Sequence, residues 1–210
     1  MREKGFVSIG AMMAPSMTLE RGHGHRFDAS GDFVERLEGS ERREAIPPED
    51  VVNRMGVSKM DTVVDLGAGI GYFTFPMAKL VKTVIAVDIE PKMVEILKRR
   101  LVERGVSNVK AFKAEITALT VESESVDHVL AAFVYHEVRS QKELMRECAR
   151  MLRREGRLTV VDFQKRETEF GPPVAERKTP EHVERTAGKW FAQVSRFETD
   201  TYYQIMFEKK

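Results

Sequence analysis

The sequence predicts an α/β fold in which a mostly parallel sheet is covered by helices on both faces. Short apolar runs rich in β-branched residues alternate with amphipathic segments between residues 62 and 163. A glycine-rich turn follows the first of these runs, in the stretch TVVDLGAGIGYFT. Two closely spaced strand patterns near the end of the chain, at about 194–199 and 202–207, predict an antiparallel edge. Strand–helix alternation with short connections is the pattern of a parallel sheet packed between helices.

The composition indicates one soluble globular domain and excludes several classes of function. The chain has 210 residues, 42% of them apolar and 32% charged, which allows a sizeable core. The net charge of +1 gives no electrostatic argument for binding a nucleic acid. A single cysteine, Cys148, rules out an internal disulfide and a multi-cysteine metal site, and it fits the reducing cytoplasm. No apolar run approaches the length of about 20 residues that spans a bilayer.

The N-terminal part of the chain differs from the rest. Residues 1–24 show little periodicity, and we expect a flexible leader there. Its two histidines, His23 and His25, are weak evidence for a metal site because no third ligand is near, and we expect no bound metal. Residues 25–57 are expected to form a helical cap or lid, with a helix beginning at Pro47 and Pro48. Residues 58–210 then form the main domain.

The remaining elements are predicted from periodicity and from turn residues. Predicted strands cover 62–66, 83–87, 109–113, 129–134 and 157–163, followed by the two strands of the antiparallel edge. Predicted helices cover about 72–81, a segment opening at 91, a segment that follows a capping box at 140–143, and about 180–191.

The glycine turn after the first strand differs from the dinucleotide-binding fingerprint. Its glycines are Gly67, Gly69 and Gly71, so the spacing is G-x-G-x-G, and Tyr72 stands where a third glycine would pack closely against the strand. Asp65, two residues before the first glycine, disfavours a phosphate and favours a cation, such as the amino group of an amino-acid-bearing cofactor. The turn therefore favours S-adenosylmethionine over a nicotinamide dinucleotide.

Two further acids follow at the ends of later strands. Asp88 lies 19 residues after Gly69, where a carboxylate can accept hydrogen bonds from ribose hydroxyls. An alternative is that Asp88 only stabilises the start of the next helix through the helix dipole. Glu115 ends the third strand and is placed to contact an adenine amino group. Because ligands of open α/β sheets gather at the carboxyl ends of the strands, we expect these acids to converge.

With these residues in place, the chain resembles the class I S-adenosylmethionine-dependent methyltransferases. The resemblance runs over about residues 60–165, through DLGAGIG (65–71), VDIEPKMV (87–94), KAEITAL (113–119), SVDHVLAAF (125–133) and MLRREGRLTVVDF (151–163). The flanks are similar to a narrower group of small prokaryotic enzymes, the type 11 or quinone-biosynthesis C-methyltransferase-like group. The resemblance implies a Rossmann-like, seven-stranded sheet of order 3-2-1-4-5-7-6 with an antiparallel last strand, helices on both faces and an N-terminal helical lid.

The resemblance also implies a set of site residues. The methionine part of S-adenosylmethionine would lie against the glycine turn, the ribose against Asp88, and the adenine between Ile89 and Met93 with Glu115 near its amino group. In the family an Asp is more common at the position of Glu115. The complete set of expected cofactor-binding residues is Asp65, Gly67, Ala68, Gly69, Gly71, Tyr72, Asp88, Ile89, Met93, Ala114, Glu115, Ile116, Ala132 and Phe133.

The loop after the fourth strand is expected to face the transferable methyl group. Within it His136, followed by Glu137, is the candidate for handling a proton, because histidine can accept one near neutral pH. The alternative is that His136 only caps or packs the loop. Methyl transfer from a sulfonium is an in-line displacement that positioning alone can accelerate, so the chemistry does not require a base. Tyr135, Phe27 and Phe33 are candidates for the substrate wall or for ordinary core.

The absence of known substrate-specific motifs is the main sequence evidence on the identity of the methyl acceptor. No D/N-P-P-Y-type motif follows the fourth strand, and Cys148 falls inside a predicted helix as a core residue. We expect a small-molecule acceptor, with S-adenosylhomocysteine as the second product. The alternatives are a protein lysine side chain as acceptor, a non-catalytic S-adenosylmethionine-binding protein, and an NAD-linked oxidoreductase, for which no Tyr-x-x-x-Lys pair is found.

Overall fold

A computed structural model describes residues 39–116 and 119–210 of the chain. The helices are α1 (Ser40–Ala45), α2 (Pro48–Arg54), α3 (Thr74–Ala78), α4 (Pro91–Glu103), α5 (Gln141–Met151) and α6 (Pro180–Ala187). The strands are β1 (Thr62–Leu66), β2 (Thr83–Asp88), β3 (Val109–Lys113), β4 (Val126–Ala132), β5 (Leu152–Phe163), β6 (Phe191–Glu198) and β7 (Tyr202–Lys209). The expected leader and the part of the expected cap before residue 39, with His23, His25, Phe27 and Phe33, lie outside the described residues.

The seven strands form one sheet in the order β3-β2-β1-β4-β5-β7-β6. All neighbouring pairs from β3 to β5 are parallel, and β7 runs antiparallel to both β5 and β6. The predicted fold class, sheet order and antiparallel last strand are therefore confirmed.

Both faces of the sheet are covered by helices. One face packs against α5 and α6, and its core includes Leu144, Cys148 and Val183. The other face packs against α2 and α3, and its core includes Val52 and Met77. Cys148 is fully buried, as expected of a core residue.

The bounds of β4 and β5 differ from the prediction. β4 ends at Ala132 because Phe133 has a φ of 57°, a left-handed conformation that stops the extended backbone. β5 begins five residues earlier than expected because Leu152 already pairs with Val126, ahead of an irregularity in the register near His128. The strand pattern alone did not reveal either feature, since both depend on the neighbouring strand.

The first helices lie against the glycine turn and the last strand. The Tyr72 hydroxyl donates to the carbonyl of Ile46 at 2.8 Å, which joins the turn after β1 to the segment between α1 and α2. Arg54 of α2 donates to the side chains of Gln204 and Tyr202 of β7, at 2.9 and 2.6 Å. The helices of the expected cap that are described, α1 and α2, are thus held beside the carboxyl end of β1; their action as a lid stays a prediction.

Candidate functional site

The candidate site lies where the strand order reverses, between β1 and β4. From β1 the chain proceeds outward to β2 and β3, and from β4 it proceeds outward in the other direction. In open α/β sheets such a switch point leaves a crevice at the carboxyl ends of the strands, where ligands bind. The turn after β1, Asp88 at the end of β2 and the loop after β4 all lie at these ends.

Gly69 and Gly71 of the turn have different structural roles. All three glycines of the turn adopt positive φ angles, 69° at Gly67, 54° at Gly69 and 98° at Gly71. A Cβ on Gly71 would lie 2.6 Å from the Phe75 ring and 2.8 Å from Leu97, so this glycine allows the turn to pack. A Cβ on Gly69 would meet no heavy atom of the described residues within 4 Å. Gly69 therefore borders open space, as a turn that admits a ligand close to the backbone requires.

Asp65 lies beneath this turn and is 1% exposed. The hydroxyl of Thr74 donates to its carboxylate at 2.6 Å. Burial raises the pKa of Asp65 to about 7, and the Thr74 hydrogen bond opposes the rise. A buried carboxylate is stabilised in its ionised form when a cation approaches. The charge at this position therefore fits the amino group of S-adenosylmethionine.

Asp88 is held at the end of β2 by backbone hydrogen bonds. Its carboxylate accepts from the N–H of Gly69 at 2.7 Å and from the N–H of Glu90 at 2.9 Å. Burial raises the pKa of Asp88, while these hydrogen bonds act to lower it. Each oxygen has accepted one of these bonds and retains a further lone pair, so Asp88 can still accept from a pair of ribose hydroxyls.

The other predicted cofactor residues lie around the same strand ends. Ile89 is 59% exposed next to Asp88, whereas Met93 is buried in α4. The N–H of Ala114 donates to the carbonyl of Asp88 at 3.1 Å, which brings exposed Glu115 to the neighbouring strand end. The remaining members, Ala68, Tyr72, Ile116 and Ala132, are buried. Their contacts with a cofactor stay a prediction.

Phe133 begins the loop after β4 in a strained conformation. Its N–H donates to the carbonyl of Val161 at 2.7 Å, which ties the positive-φ residue to β5. Its ring lies with the centroid 4.6 Å from that of Phe163 and 6.1 Å from that of Phe73. A left-handed phenylalanine is costly, and such strain is common at functional sites. Here it turns the following residues toward the end of β5.

His136 is bound to Asp162, the penultimate residue of β5. Its Nδ1 lies 2.7 Å from Oδ1 of Asp162, and its backbone N–H donates to Oδ2 of the same side chain at 3.1 Å. Its Nε2 lies 3.6 Å from Oε1 of Glu137. Because an ionised carboxylate only accepts hydrogen bonds, Asp162 places the proton of a neutral imidazole on Nδ1. Nε2 is then the basic nitrogen.

The charges around His136 shift two pKa values. Burial acts to lower the pKa of His136, but the hydrogen bond and charge of Asp162, together with Glu137, raise it above its ordinary value. Burial raises the pKa of Glu137 to about 7, and the charge of His136 opposes this. The pKa values of His136 and Glu137 are therefore both above their ordinary values.

Several contributors to the site were absent from the sequence prediction. Asp162 belongs to one of the segments that resemble the family, MLRREGRLTVVDF. Its position, as an acid at the end of a buried strand, could have identified it as a candidate site residue. Arg177 gave no such signal: it is 3% exposed and donates to the carbonyls of Pro172 and Arg166, at 2.8 and 2.7 Å, which shapes the loop after β5. Arg42 of α1 gave none either; its guanidinium carbon lies 4.8 Å from the Tyr72 ring centroid.

Within the described part of the chain, no group of three or more histidine, cysteine or acidic residues could hold a metal ion. The helices among these residues are also too short or too polar to cross a membrane.

A cavity of about 490 Å³ shares Gly71 and Tyr72 with the site but extends away from it, between α1, α3 and the segment after α4.

Comparisons with known proteins agree with this architecture. Residues 64–160 match the family described as Methyltransferase domain. The chain is 30% identical over 138 residues to an uncharacterized methyltransferase, YcgJ, of Bacillus subtilis, covering 63% of this chain and 54% of that protein. It is 30% identical over 123 residues to the ubiquinone/menaquinone biosynthesis C-methyltransferase UbiE of a Marinomonas species, covering 57% and 49%. The chain thus spans about half the length of these two curated relatives.

Solved structures share the fold at lower identity. A SAM-dependent methyltransferase from Aquifex aeolicus superposes with a TM-score of 0.80 at 22% identity, covering 87% of this chain and all of that one. The YcgJ structure from Bacillus subtilis superposes with a TM-score of 0.67 at 16% identity, covering 78% and 97%. The chain is thus similar to methyltransferases over residues 64–160, and it shares the fold of solved S-adenosylmethionine-dependent methyltransferases.

Proposed function

We propose that this protein transfers a methyl group from S-adenosylmethionine to a small-molecule acceptor that binds beside the loop after β4. The observation that carries the proposal is the pairing of Asp88 with the open turn at Gly69, at the switch point of the sheet. When bound, S-adenosylmethionine supplies a methyl group on a sulfonium, so that a bond to the acceptor forms as the sulfur–carbon bond breaks and S-adenosylhomocysteine is released.

Different residues of the chain would bind different parts of S-adenosylmethionine. Asp65 offers a buried negative charge to the amino group, and Gly69 admits the ligand to the backbone. Asp88 accepts from the ribose hydroxyls, with Ile89 and Met93 beside the adenine. Binding a cation near Asp65 should favour its ionised form, so cofactor affinity should rise as the pH increases toward about 7 and level off above it.

His136 is the residue we assign to proton handling. Its Nε2 is the basic nitrogen of the neutral ring and lies beside Glu137, and the bond from Nδ1 to Asp162 fixes the ring. The aromatic rings of Phe133, Phe163 and Phe170 lie next to one another on this side of the site and would keep water from the reacting atoms. If the acceptor loses a proton on methylation, His136 would accept it. If it does not, the same loop serves to position the acceptor.

A small-molecule acceptor is supported by the names of the relatives. Several relatives are named as ubiquinone/menaquinone biosynthesis C-methyltransferases. A protein lysine acceptor and a non-catalytic binding role are the two alternatives to be separated by experiment.

Removing the Asp88 carboxylate should weaken cofactor binding. We expect Asp88→Ala to lower affinity for S-adenosylmethionine about 10–100-fold, equivalent to about 1–3 kcal/mol, because buried hydroxyl partners would be left unpaired. Asp88→Asn keeps an acceptor for the Gly69 N–H and should lose less. Isothermal titration calorimetry measures both. Glu103→Ala, at the exposed end of α4, is the control. Unchanged affinity in Asp88→Ala would remove Asp88 from the site.

A labelled-methyl transfer assay separates the candidate acceptors. Purified protein with methyl-labelled S-adenosylmethionine is incubated with the small-molecule fraction and, separately, with the protein fraction of a cell lysate. Label in a small molecule supports the proposal, and label in protein supports the lysine alternative. Tight cofactor binding with no transfer to either fraction would favour a non-catalytic role.

A further inference from the structure

Helix α1 directs a cation toward the crevice at the switch point, and no anionic partner for it lies among the described residues. The guanidinium carbon of Arg42 lies 4.8 Å from the centroid of the Tyr72 ring and 5.4 Å from that of the Phe133 ring. Its Nε is inaccessible to solvent, and no hydrogen-bond acceptor is within reach of it in residues 39–116 and 119–210. Burial lowers the pKa of Arg42, and the interaction with Tyr72 opposes this change.

A guanidinium in this position lowers the stability of the ligand-free protein, because its charge is partly removed from water without a counter-ion. The faces of Tyr72 and Phe133 attract it by cation–π interaction, but such rings replace neither the hydrogen bonds nor the counter-ion that water would have supplied. The neighbouring Arg43 also lies near the Tyr72 ring, at 5.9 Å from its centroid, but it is half-exposed and lies 3.3 Å from the carboxylate of Glu49. A desolvated cation of this kind beside a ligand crevice indicates that the ligand brings the anion.

The two rings beneath Arg42 define where that anion would lie. Tyr72 directly follows Gly71 of the glycine turn, and Phe133 directly follows the last residue of β4. These are the two chain segments that flank the switch point. We propose that Arg42 binds a carboxylate of the ligand here, so that α1, which lies outside the matched residues 64–160, completes the site.

This inference rests on the proposed function, and two ligands could supply the carboxylate. One is the amino-acid end of S-adenosylmethionine, and the other is an acidic group on the acceptor. A guanidinium forms two parallel hydrogen bonds with a carboxylate, which a lysine ammonium cannot reproduce. Arg42→Met therefore removes the interaction, and Arg42→Lys should retain part of it. Arg43→Met is the matched control on the same helix.

The first arm of the test compares two ligands that differ only in the carboxylate. Calorimetry is carried out with S-adenosylhomocysteine and with its decarboxylated analogue. If the cofactor supplies the anion, Arg42→Met should bind S-adenosylhomocysteine at least 10-fold more weakly than the unchanged protein. The same variant should bind the analogue with nearly unchanged affinity, Arg42→Lys should be intermediate, and Arg43→Met should match the unchanged protein.

The second arm uses benzoate, a planar carboxylate, titrated into protein saturated with S-adenosylhomocysteine. If the acceptor supplies the anion, Arg42→Met should keep its affinity for S-adenosylhomocysteine and lose benzoate binding. If Arg42→Met equals the unchanged protein in both arms, the inference is wrong. If the unchanged protein fails to bind S-adenosylhomocysteine at all, the proposed function itself is wrong.

The melting temperature distinguishes a ligand-binding arginine from a structural one. Removing an uncompensated desolvated charge should leave the melting temperature of ligand-free Arg42→Met equal to or above that of the unchanged protein. The rise in melting temperature on adding the ligand should shrink. A variant that melts lower when ligand-free and binds both ligands with the same relative loss would show that Arg42 only supports the fold.

Discussion

At the scale of single residues, the pair formed by His136 and Asp162 has the clearest chemical consequence. Asp162 is fully buried and accepts from both the ring and the backbone of His136. The pKa of His136 is raised in the folded protein, so this pair stabilises the fold fully at pH below the ordinary histidine pKa of about 6.5. The contribution is lost as the pH rises through the higher folded-state pKa.

The same titration predicts the pH dependence of turnover. If His136 accepts a proton, the rate should rise as the pH passes through its pKa, with a midpoint above about 6.5. Asp162→Asn should move this midpoint to lower pH and reduce kcat, because the carboxylate that raises the pKa and fixes the tautomer is gone. His136→Gln should reduce kcat about 10²–10⁴-fold. His182→Gln, on α6, is the control, and turnover by His136→Gln that matches the unchanged protein at every pH would leave His136 a packing residue.

At the scale of elements, the turn between β1 and α3 has one glycine packed against neighbouring side chains and another that borders open space. Gly71 is enclosed by Phe75 and Leu97, whereas a Cβ on Gly69 would meet no described atom within 4 Å. Both have positive φ angles, so a side chain at either position carries a conformational penalty of about 1–2 kcal/mol. Of these two positions, only Gly71 adds a steric clash. A substitution at Gly71 should therefore mainly affect stability, and a substitution at Gly69 should mainly affect ligand binding.

Alanine substitutions should reveal this division. We expect Gly71→Ala to lower the free energy of unfolding by about 2–4 kcal/mol through overpacking and strain. Gly69→Ala should lose about 1 kcal/mol of stability and about 10-fold or more in S-adenosylmethionine affinity, because its methyl group enters the ligand space. Gly105→Ala is the matched control, since Gly105 has a φ of 63°, lies in open space and follows α4. Equal affinities for Gly69→Ala and Gly105→Ala would contradict the assignment of the open face.

At the scale of the whole molecule, the N-terminal helices are fastened to the C-terminal edge of the sheet. Arg54 of α2 donates to Tyr202 and Gln204 of β7, and its guanidinium carbon lies 3.9 Å from the centroid of the Phe197 ring of β6. Gln204 in turn donates to the carbonyl of Val51 at 3.0 Å. These contacts join residues about 150 positions apart in the chain. They hold α2 beside the crevice that the strand order creates.

Breaking this connection should loosen the N-terminal helices before the rest of the fold. Arg54→Ala is expected to lower the free energy of unfolding by about 1–3 kcal/mol, because Gln204 and Tyr202 lose a charged partner. Hydrogen exchange should accelerate in α2 more than in β1 or β4. Arg99→Ala, which removes an exposed pair with Glu103, should change stability by less than about 0.5 kcal/mol. Uniformly faster exchange, with no excess in α2, would show that the contact does not anchor the helix separately.

The sequence by itself determined the elements and the fold, and it predicted the cofactor. Strand and helix positions follow from periodicities that each segment carries locally. The sheet order that the family resemblance implies is confirmed. The glycine spacing and Asp65 depend only on neighbours in the chain, and Asp88 lies at the end of the very next strand. Such short-range features allowed a prediction of where S-adenosylmethionine would bind. The ends of β4 and β5 were less accurate, because Phe133 adopts a left-handed backbone and Leu152 pairs across the sheet.

Only the tertiary structure decided which distant side chains meet at the site. His136 and Asp162 are 26 positions apart, and their contact exists because β4 and β5 are neighbours whose carboxyl ends coincide. Arg42 reaches Tyr72 and Phe133 because the Tyr72 hydroxyl joins α1 to the turn and α2 is held against the last strand, which no local pattern encodes. The physical reason is the same in both cases. Hydrogen bonds and charge interactions act over a few ångströms of space, and a sequence pattern reports distance along the chain.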